Sequence, residues 1–170
     1  PKNHAEIYAE FGYNDAKQNL RDLWLDMAHS SAWVVGFKKL HPLNSRTFIE
    51  IFGEATKMAQ NPSYLMRSAG NWYEHGQVTE GFTNNNQILG AGAGHGNNVQ
   101  TMGVSWNQGW KKIGLTFEHI SQNPMLETGQ SAVRTRLVKW DDYAFGLQGG
   151  YRYKKLLFNG DLKWVNSNNY

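Results

Sequence analysis

The stretch HAEIYAEFGY, His4–Tyr13, alternates along its whole length between two kinds of side chain. Ala5, Ile7, Ala9, Phe11 and Tyr13 occupy every second position, and the positions between them carry mostly polar groups. Successive side chains of a β-strand point to opposite faces of the sheet. The period of two therefore predicts a strand with one apolar and one polar face.

The same alternation recurs along the chain and predicts about seven strands in all. The further strands are predicted over Ser31–Leu40, Thr47–Lys57, Val99–Trp106, Lys112–Ser121, Asp142–Arg152 and Leu156–Asn166. Long connections follow Tyr13, Lys57 and Ser121, whereas short ones follow Leu40, Trp106 and Arg152. Tight turns are predicted at Asn107–Gly109 and at Tyr153–Lys154.

This rhythm favours an outer-membrane barrel, in which short periplasmic turns alternate with long extracellular loops. Strands of roughly ten residues match the ~9–11 that cross a bilayer at a tilt. Charged residues are scarce at 18% and aromatic residues abundant at 14%. Aromatic girdles are typical of such barrels, and aromatic residues fall near several strand ends, namely Tyr13, Trp33, Trp106, Tyr151 and Trp164. The predicted fold class is all-β, an antiparallel transmembrane β-barrel segment.

An odd strand number implies that the barrel extends beyond these residues. Bacterial barrels have an even number of strands, and open sheet edges are not tolerated within the bilayer. We therefore expect residues 1–170 to form a single partial β-barrel domain, with strands preceding it and at least one strand following it. A soluble, half-buried sheet is the alternative, but it would need a second layer that this chain barely supplies.

The long connections are predicted to carry short helices. In Asn14–His29, Leu20, Leu23, Trp24 and Met27 recur with helical spacing and predict an amphipathic helix capped by Asn19. A further helical turn is predicted over Ser63–Ser68, after Pro62.

The connection Trp72–Gln100 is rich in Gly and Asn. Gly90, Gly92, Gly94 and Gly96 fall on every second residue, which predicts an extended segment whose face without side chains lets another surface approach the backbone closely. Amides and flat aromatic faces suited to a glycan are supplied by Asn84, Asn85, Asn86, Asn97, Asn98, Trp72, Tyr73 and Phe82. A dinucleotide fingerprint fails because His95 stands at its last Gly, and no GK[ST] follows to make a P-loop.

Composition excludes several function classes. The chain contains no Cys, so no disulfide framework or Cys-based zinc site exists. Its net charge of +3 is diffuse, so no nucleic-acid partner is predicted. Glu74, His75 and His95 lack metal-ligand spacing, and neither a metal nor a cofactor is predicted.

Glutamates are predicted to lie on the polar, interior face, namely Glu6, Glu10, Glu50, Glu54 and Glu118. A pair of them about 5–9.5 Å apart would suit glycoside hydrolysis. The favoured interpretation is that they pair with Lys38, Lys163 and other basic groups, because a barrel lumen is polar by default.

The Gly/Asn connection resembles the Wzi capsule-assembly family of Gram-negative outer membranes. Tyr73–His75 (YEH), Gly81–Thr83 (GFT) and Leu89–Gly90 are similar to that family's Y-E-H … G-Y-x … L-G pattern, with Phe82 at the Tyr position. Gly90–Gln100 is similar to the G-A-G-x-G-P-G-x-N run of Bacteroidetes-type members, with His95 at the Pro position. Asn14–Asp15 and Leu20–Ser30 resemble the N-D … L-R-D … H-S run of the same branch.

The resemblance implies a larger barrel in the bacterial outer membrane that holds capsular or exopolysaccharide at the cell surface. It implies a lectin rather than an enzyme, with the lipid bilayer and other outer-membrane proteins as further partners. Our candidate ligand residues are Arg21, Asp22, Arg67, Trp72, Tyr73, His75 and Asn98. The arginines would meet uronic acid carboxylates, and the aromatic rings would stack on sugars.

Three alternatives remain open from the sequence. The candidate residues could serve only to tie the loops together. The barrel could be a porin-like or scaffold subunit of a larger outer-membrane complex. A barrel enzyme would need catalytic groups clustered at one loop rim.

Overall fold

The computed structural model describes residues 4–13, 19–25, 27–59, 72–73, 77, 81–85, 87–90, 92–94, 96–122 and 140–169. Most of these residues form one antiparallel sheet of seven long strands. The long strands are β1 (His4–Tyr13), β2 (Ser31–Pro42), β3 (Thr47–Lys57), β6 (Asn98–Gln108), β7 (Lys111–Gln122), β8 (Trp140–Tyr153) and β9 (Leu156–Asn169). The shorter elements are the helix α1 (Leu20–Leu25) and a hairpin of β4 (Thr83–Asn84) and β5 (Gln87–Ile88).

The sheet is a meander in which each long strand pairs with the long strands before and after it in sequence. The predicted all-β, antiparallel class is thereby confirmed. Strands β1 and β9 are the two edges of the sheet, and in the described chain they do not pair with each other. Closure into a barrel stays a prediction.

One face of the sheet is apolar across all seven strands. The register aligns a single row of residues on this face, running through Ile7, Phe37, Gly53, Met102, Phe117, Phe145 and Trp164. Within the described part of the chain no other layer covers these side chains: Ile7 is 82% exposed and Trp164 is 63% exposed. Moving one large apolar side chain out of water is worth about 1.5–3 kcal/mol. An apolar face of this extent is therefore unfavourable in water.

The opposite face carries the predicted carboxylates, and basic groups lie beside them. Lys38 Nζ is 3.3 Å from Glu50 Oε2, and Lys163 Nζ is 3.8 Å from Glu118 Oε1. The favoured sequence interpretation, in which these glutamates pair with Lys38 and Lys163, is confirmed for both pairs. Such partly exposed pairs contribute little stability, and they keep the face polar without leaving isolated charges.

Two glycines on this polar face make room for aromatic rings from neighbouring strands. A Cβ atom added to Gly36 would lie 2.2 Å from the Tyr8 ring, and one added to Gly103 would lie 2.5 Å from the Phe52 ring. Across Gly36, the Tyr8 hydroxyl donates a 2.5 Å hydrogen bond to Glu54, two strands away. Both rings thus lie against the backbone of a neighbouring strand: Tyr8 links β1, β2 and β3, and Phe52 lies on β6.

The strand predictions are confirmed, with shifted ends. The bounds His4–Tyr13 and Thr47–Lys57 agree with the prediction, whereas the other strands are longer than predicted. The tight turns lie at Gly109–Trp110 and Lys154–Lys155, one to two residues later than predicted, because pairing continues past the point where alternation fades.

Two further expectations need correction. Trp164 was expected near a strand end, but it lies within the sheet opposite Phe145, because β9 continues to Asn169. The glycines from Gly90 to Gly96 were expected to form an extended segment. Instead Gly94 and Gly96 have φ of 75° and 60°, so the chain turns there.

The helix predicted in the first long connection corresponds to α1, which is six residues long. The helical turn predicted over Ser63–Ser68 lies outside the described residues, as does most of the polar connection after Gln122. No helix in the described part of the chain is long and apolar enough to cross a membrane.

Candidate functional site

The seven strands run between two opposite ends of the sheet, which differ from each other and are distinct from the edge strands β1 and β9. We name each of these ends as an edge, after the connections that it carries. The turns 43–46, 109–110 and 154–155 lie at one edge, which we call the short-turn edge. The connections 14–30, 58–97 and 123–139 leave from the other, which we call the long-connection edge. Most of the best-buried side chains of the described chain lie near the long-connection edge, including His29, Ser30, Ser31, Thr56, Met58, Ala59 and Asp141. The ends of the long connections therefore pack more closely than the sheet itself.

Trp72 packs onto the polar face of the sheet at this edge. A Cβ atom added to Gly12 would lie 3.2 Å from Trp72 Cη2. Gly12 belongs to β1, whereas Trp72 belongs to the connection between β3 and β6. The connection therefore reaches across β2 to contact β1. A glycine suits this contact, because even an alanine Cβ atom would require the indole to move by a few tenths of an ångström.

The Tyr73 ring packs against Gly90, which lies later in the same connection. A Cβ atom on Gly90 would lie 2.3 Å from Tyr73 Cζ, so the phenol ring lies directly on this glycine. Tyr73 has φ of 69°, a left-handed conformation that side-chain-bearing residues adopt only when surrounding contacts hold it. The space above Gly90 is thus filled by this chain's own Tyr73, and not left for another surface as the sequence suggested.

Backbone hydrogen bonds fix the hairpin that follows. Phe82 N–H donates to Tyr73 O at 3.0 Å, and Leu89 N–H donates to Phe82 O at 2.9 Å. Asn85, with φ of 48°, occupies the turn between β4 and β5. The Phe82 side chain remains 69% exposed. The hairpin therefore presents an aromatic side chain and amides to solvent beside the Trp72–Tyr73 pair.

Asn98 has a structural contact. Its side-chain oxygen accepts hydrogen bonds from Met58 N–H at 3.2 Å and from Ala59 N–H at 3.1 Å. The Met58 N–H is also 3.1 Å from Asn97 O, and Asn97 Nδ2 donates to Ala93 O at 2.8 Å. These amides join the start and the end of the connection between β3 and β6. For Asn98 the geometry favours the alternative in which the candidate residues tie the loops together.

The structure brings together two of the predicted ligand residues. The Trp72 and Tyr73 rings have centroids 6.5 Å apart with planes inclined by 62°. Arg21 lies exposed on α1, and Asp22 lies in the same helix. Arg67 and His75 lie outside the described residues. The ligand roles of all seven candidates stay predictions.

A polar cluster on strands β6, β7 and β8 was not found from the sequence. The two ring nitrogens of His119 lie 3.3 Å from Gln100 Oε1 and 3.3 Å from Asp141 Oδ1. The imidazole stacks on Tyr143, with ring centroids 4.6 Å apart. Both nitrogens are thus engaged by neighbours that orient the ring, an arrangement that ties three strands together near the long-connection edge. Only the strand register, which alternation does not give, could have revealed it.

The described residues contain no group of three or more His, Asp or Glu side chains arranged to hold a metal ion. Glu74, His75 and His95, considered as a metal site from the sequence, lie outside that part of the chain.

Comparison of the chain with protein-family models, with curated proteins and with solved structures found no match.

Proposed function

We propose that this sheet is a segment of a β-barrel in the outer membrane of a Gram-negative bacterium, where it binds or anchors capsular or exopolysaccharide at the cell surface. The observation that carries the proposal is the division of the sheet into two faces. The exposed apolar row from Ile7 to Trp164 would contact lipid, and the face with the Lys38–Glu50 and Lys163–Glu118 pairs would line a wet interior.

Closure of the sheet is required by the same argument. Unpaired N–H and C=O groups on the edges β1 and β9 would each cost several kcal/mol in hydrocarbon. We propose that further strands pair with both edges. The long-connection edge would then face the cell exterior, since barrels of this class have long extracellular loops.

The polysaccharide part of the proposal concerns that edge. Trp72 and Tyr73 are half-buried, so their rings are held rigidly yet remain accessible to a ligand in part. The neighbouring hairpin and the exposed Arg21 supply neutral amides and a cation. Rigid aromatic faces beside neutral amides, with a cation on another connection of the same edge, suit a sugar chain that carries carboxylates, in agreement with the resemblance to the Wzi family.

The experiment is binding of the intact, detergent-solubilised protein to purified capsular polysaccharide from its own source. Trp72→Ala and Arg21→Ala are compared with Trp110→Ala, a matched tryptophan variant at the short-turn edge. We expect Trp72→Ala to weaken binding about tenfold or more, a loss of about 1.4 kcal/mol, and Trp110→Ala to leave binding unchanged. The absence of saturable binding by the well-folded protein would overturn the polysaccharide proposal.

A porin-like or scaffold subunit of a larger outer-membrane complex is the second candidate. It is favoured by a largely apolar depression of about 1240 Å³ along β2, β3, β6 and β7, bordered by Val35, Phe37, Ile51 and Met102 among others. A partner's apolar side chains could fill such a depression more closely than lipid chains do. Failure of polysaccharide binding would direct attention to this candidate.

A further inference from the structure

Cationic side chains are concentrated at the short-turn edge of the sheet, with no acidic residue near them in sequence. The chain contains no Asp or Glu in residues 38–49, 104–117 or 143–160, which include all three turns and the strand ends beside them. We call the cations of this edge the basic rim: Arg46, Lys111, Lys112, Arg152, Lys154 and Lys155. By contrast, the ion pairs of the sheet described above use Glu50 and Glu118, which lie farther along the strands.

The basic rim is continuous from one turn to the next. Gly109 N–H donates to Arg46 O at 3.3 Å, which joins the first turn to the second. The Arg152 guanidinium lies 5.1 Å from the centre of the Trp110 ring, which joins the second turn to the third. The three turns therefore present their charges as one surface.

Aromatic rings hold several of these cations at the border of the apolar face. Lys111 Nζ lies 5.7 Å from the centre of the Tyr151 ring, and Lys154 Nζ lies 5.3 Å from that of Tyr153. Tyr151 and Tyr153 share a face with Ile113 and Leu147, the exposed apolar face. Arg152 Nε also donates to Lys154 O at 3.0 Å. Amphipathic rings next to cations, at the end of an exposed apolar surface, are the side chains expected at the level of lipid headgroups.

We propose that the basic rim binds the phosphate groups of anionic phospholipids such as phosphatidylglycerol. The proposal rests on the proposed insertion of the apolar face into a membrane, and it adds a headgroup preference at one edge. Charge complementarity selects this occupant, because the three turns and the strand ends beside them contain no acidic residue and the rings lie beside the surface that acyl chains would cover. A zwitterionic headgroup would bind less tightly, since the rim repels the cation that this headgroup carries.

The test reconstitutes the intact protein in vesicles that mix phosphatidylglycerol with phosphatidylcholine, one of which carries brominated acyl chains. Bromine quenches nearby tryptophan fluorescence, and Trp106 and Trp110 lie close to the rim. The ratio of quenching by the two lipids gives their relative affinity for the protein surface. The triple variant Lys111→Gln/Arg152→Gln/Lys154→Gln removes rim cations, and Lys38→Gln/Lys163→Gln removes cations from the polar face as the matched control.

We expect the wild-type protein and the control variant to bind phosphatidylglycerol about twofold or more tightly than phosphatidylcholine, as measured by quenching averaged over all tryptophans. A single rim cation would favour an anionic lipid at its own position by about fivefold. The triple variant should lose the preference, and 1 M salt should reduce it in the wild type. Equal quenching by both lipids, or a preference that survives in the triple variant, would overturn the headgroup proposal while membrane insertion stands. No quenching of folded protein by either lipid would overturn both.

Discussion

The indole of Trp72 lies against Gly12 of β1, although the connection that carries Trp72 leaves from β3 and β2 lies between these two strands. A Cβ atom at Gly12 would be 3.2 Å from Trp72 Cη2, which is closer than most side-chain contacts. The contact anchors one long connection to the polar face of the first strand. It therefore sets where the aromatic pair Trp72–Tyr73 lies relative to the sheet.

Gly12→Val should displace Trp72 and weaken polysaccharide binding about as much as Trp72→Ala does. The added methyl groups would occupy the position of the indole, and overpacking of this kind costs about 1–3 kcal/mol. Binding to purified polysaccharide measures the loss of affinity. Tryptophan emission reports the displacement of Trp72, and we expect it to shift to longer wavelength. Gly149→Val is the matched control, because nothing lies within 4 Å of a Cβ atom there. Equal effects of the two variants would contradict the account.

Gly90→Ala should loosen the hairpin that follows Tyr73. Its Cβ atom would lie 2.3 Å from Tyr73 Cζ, so the phenol ring must leave its position. We expect faster cleavage of the connection between β3 and β6 in limited proteolysis, with the strands of the sheet protected as before. Gly92→Ala, where a Cβ atom has open space, should be cleaved at the wild-type rate.

Asn98→Ala should lower the free energy of unfolding by about 1–3 kcal/mol, because it removes an acceptor shared by two backbone N–H groups. Met58 N–H keeps the Asn97 carbonyl, so Ala59 N–H bears most of the loss. Unfolding in urea gives the measurement. Asn98→Asp retains the acceptor oxygen and should recover most of the stability. If Asn98→Ala is as stable as the wild type, these hydrogen bonds do not contribute to the free energy of unfolding.

The Lys38–Glu50 pair should contribute less than about 1 kcal/mol to stability, since Lys38 is 44% exposed and water screens the attraction. A double-mutant cycle of Lys38→Met and Glu50→Gln measures the coupling. Salt at 1 M should reduce it further. A coupling of about 3 kcal/mol or more would indicate a dry interior, contrary to a water-filled lumen.

The alternation of side chains predicts most of this fold. A period of two identified each long strand, and the unequal connections gave the meander with its two unlike edges. Strand ends were less predictable: β8 begins at Trp140 because its backbone pairs with Asn169, although alternation near Asp141 and Asp142 is weak. Pairing is a tertiary interaction, and it extends strands beyond the local pattern.

The candidate site was less accessible to prediction. Trp72 and Tyr73 were identified as flat aromatic faces suited to a glycan, but their contacts with Gly12 and Gly90 depend on the path of the connection over the sheet. The same is true of Asn98, whose two N–H partners lie about forty residues earlier in the chain. Contacts of that range carry no local signal in the sequence.

The central claim, that the apolar face contacts lipid, can be tested on β7 by a scan of single cysteines. The chain contains no Cys, so each substitution provides one site for a spin label. In the membrane-reconstituted protein, we expect accessibility to oxygen to be highest at 113, 115 and 117, and accessibility to a water-soluble nickel complex to be highest at 116 and 118. High nickel accessibility at 113, 115 and 117 would place the apolar face in water and contradict the account.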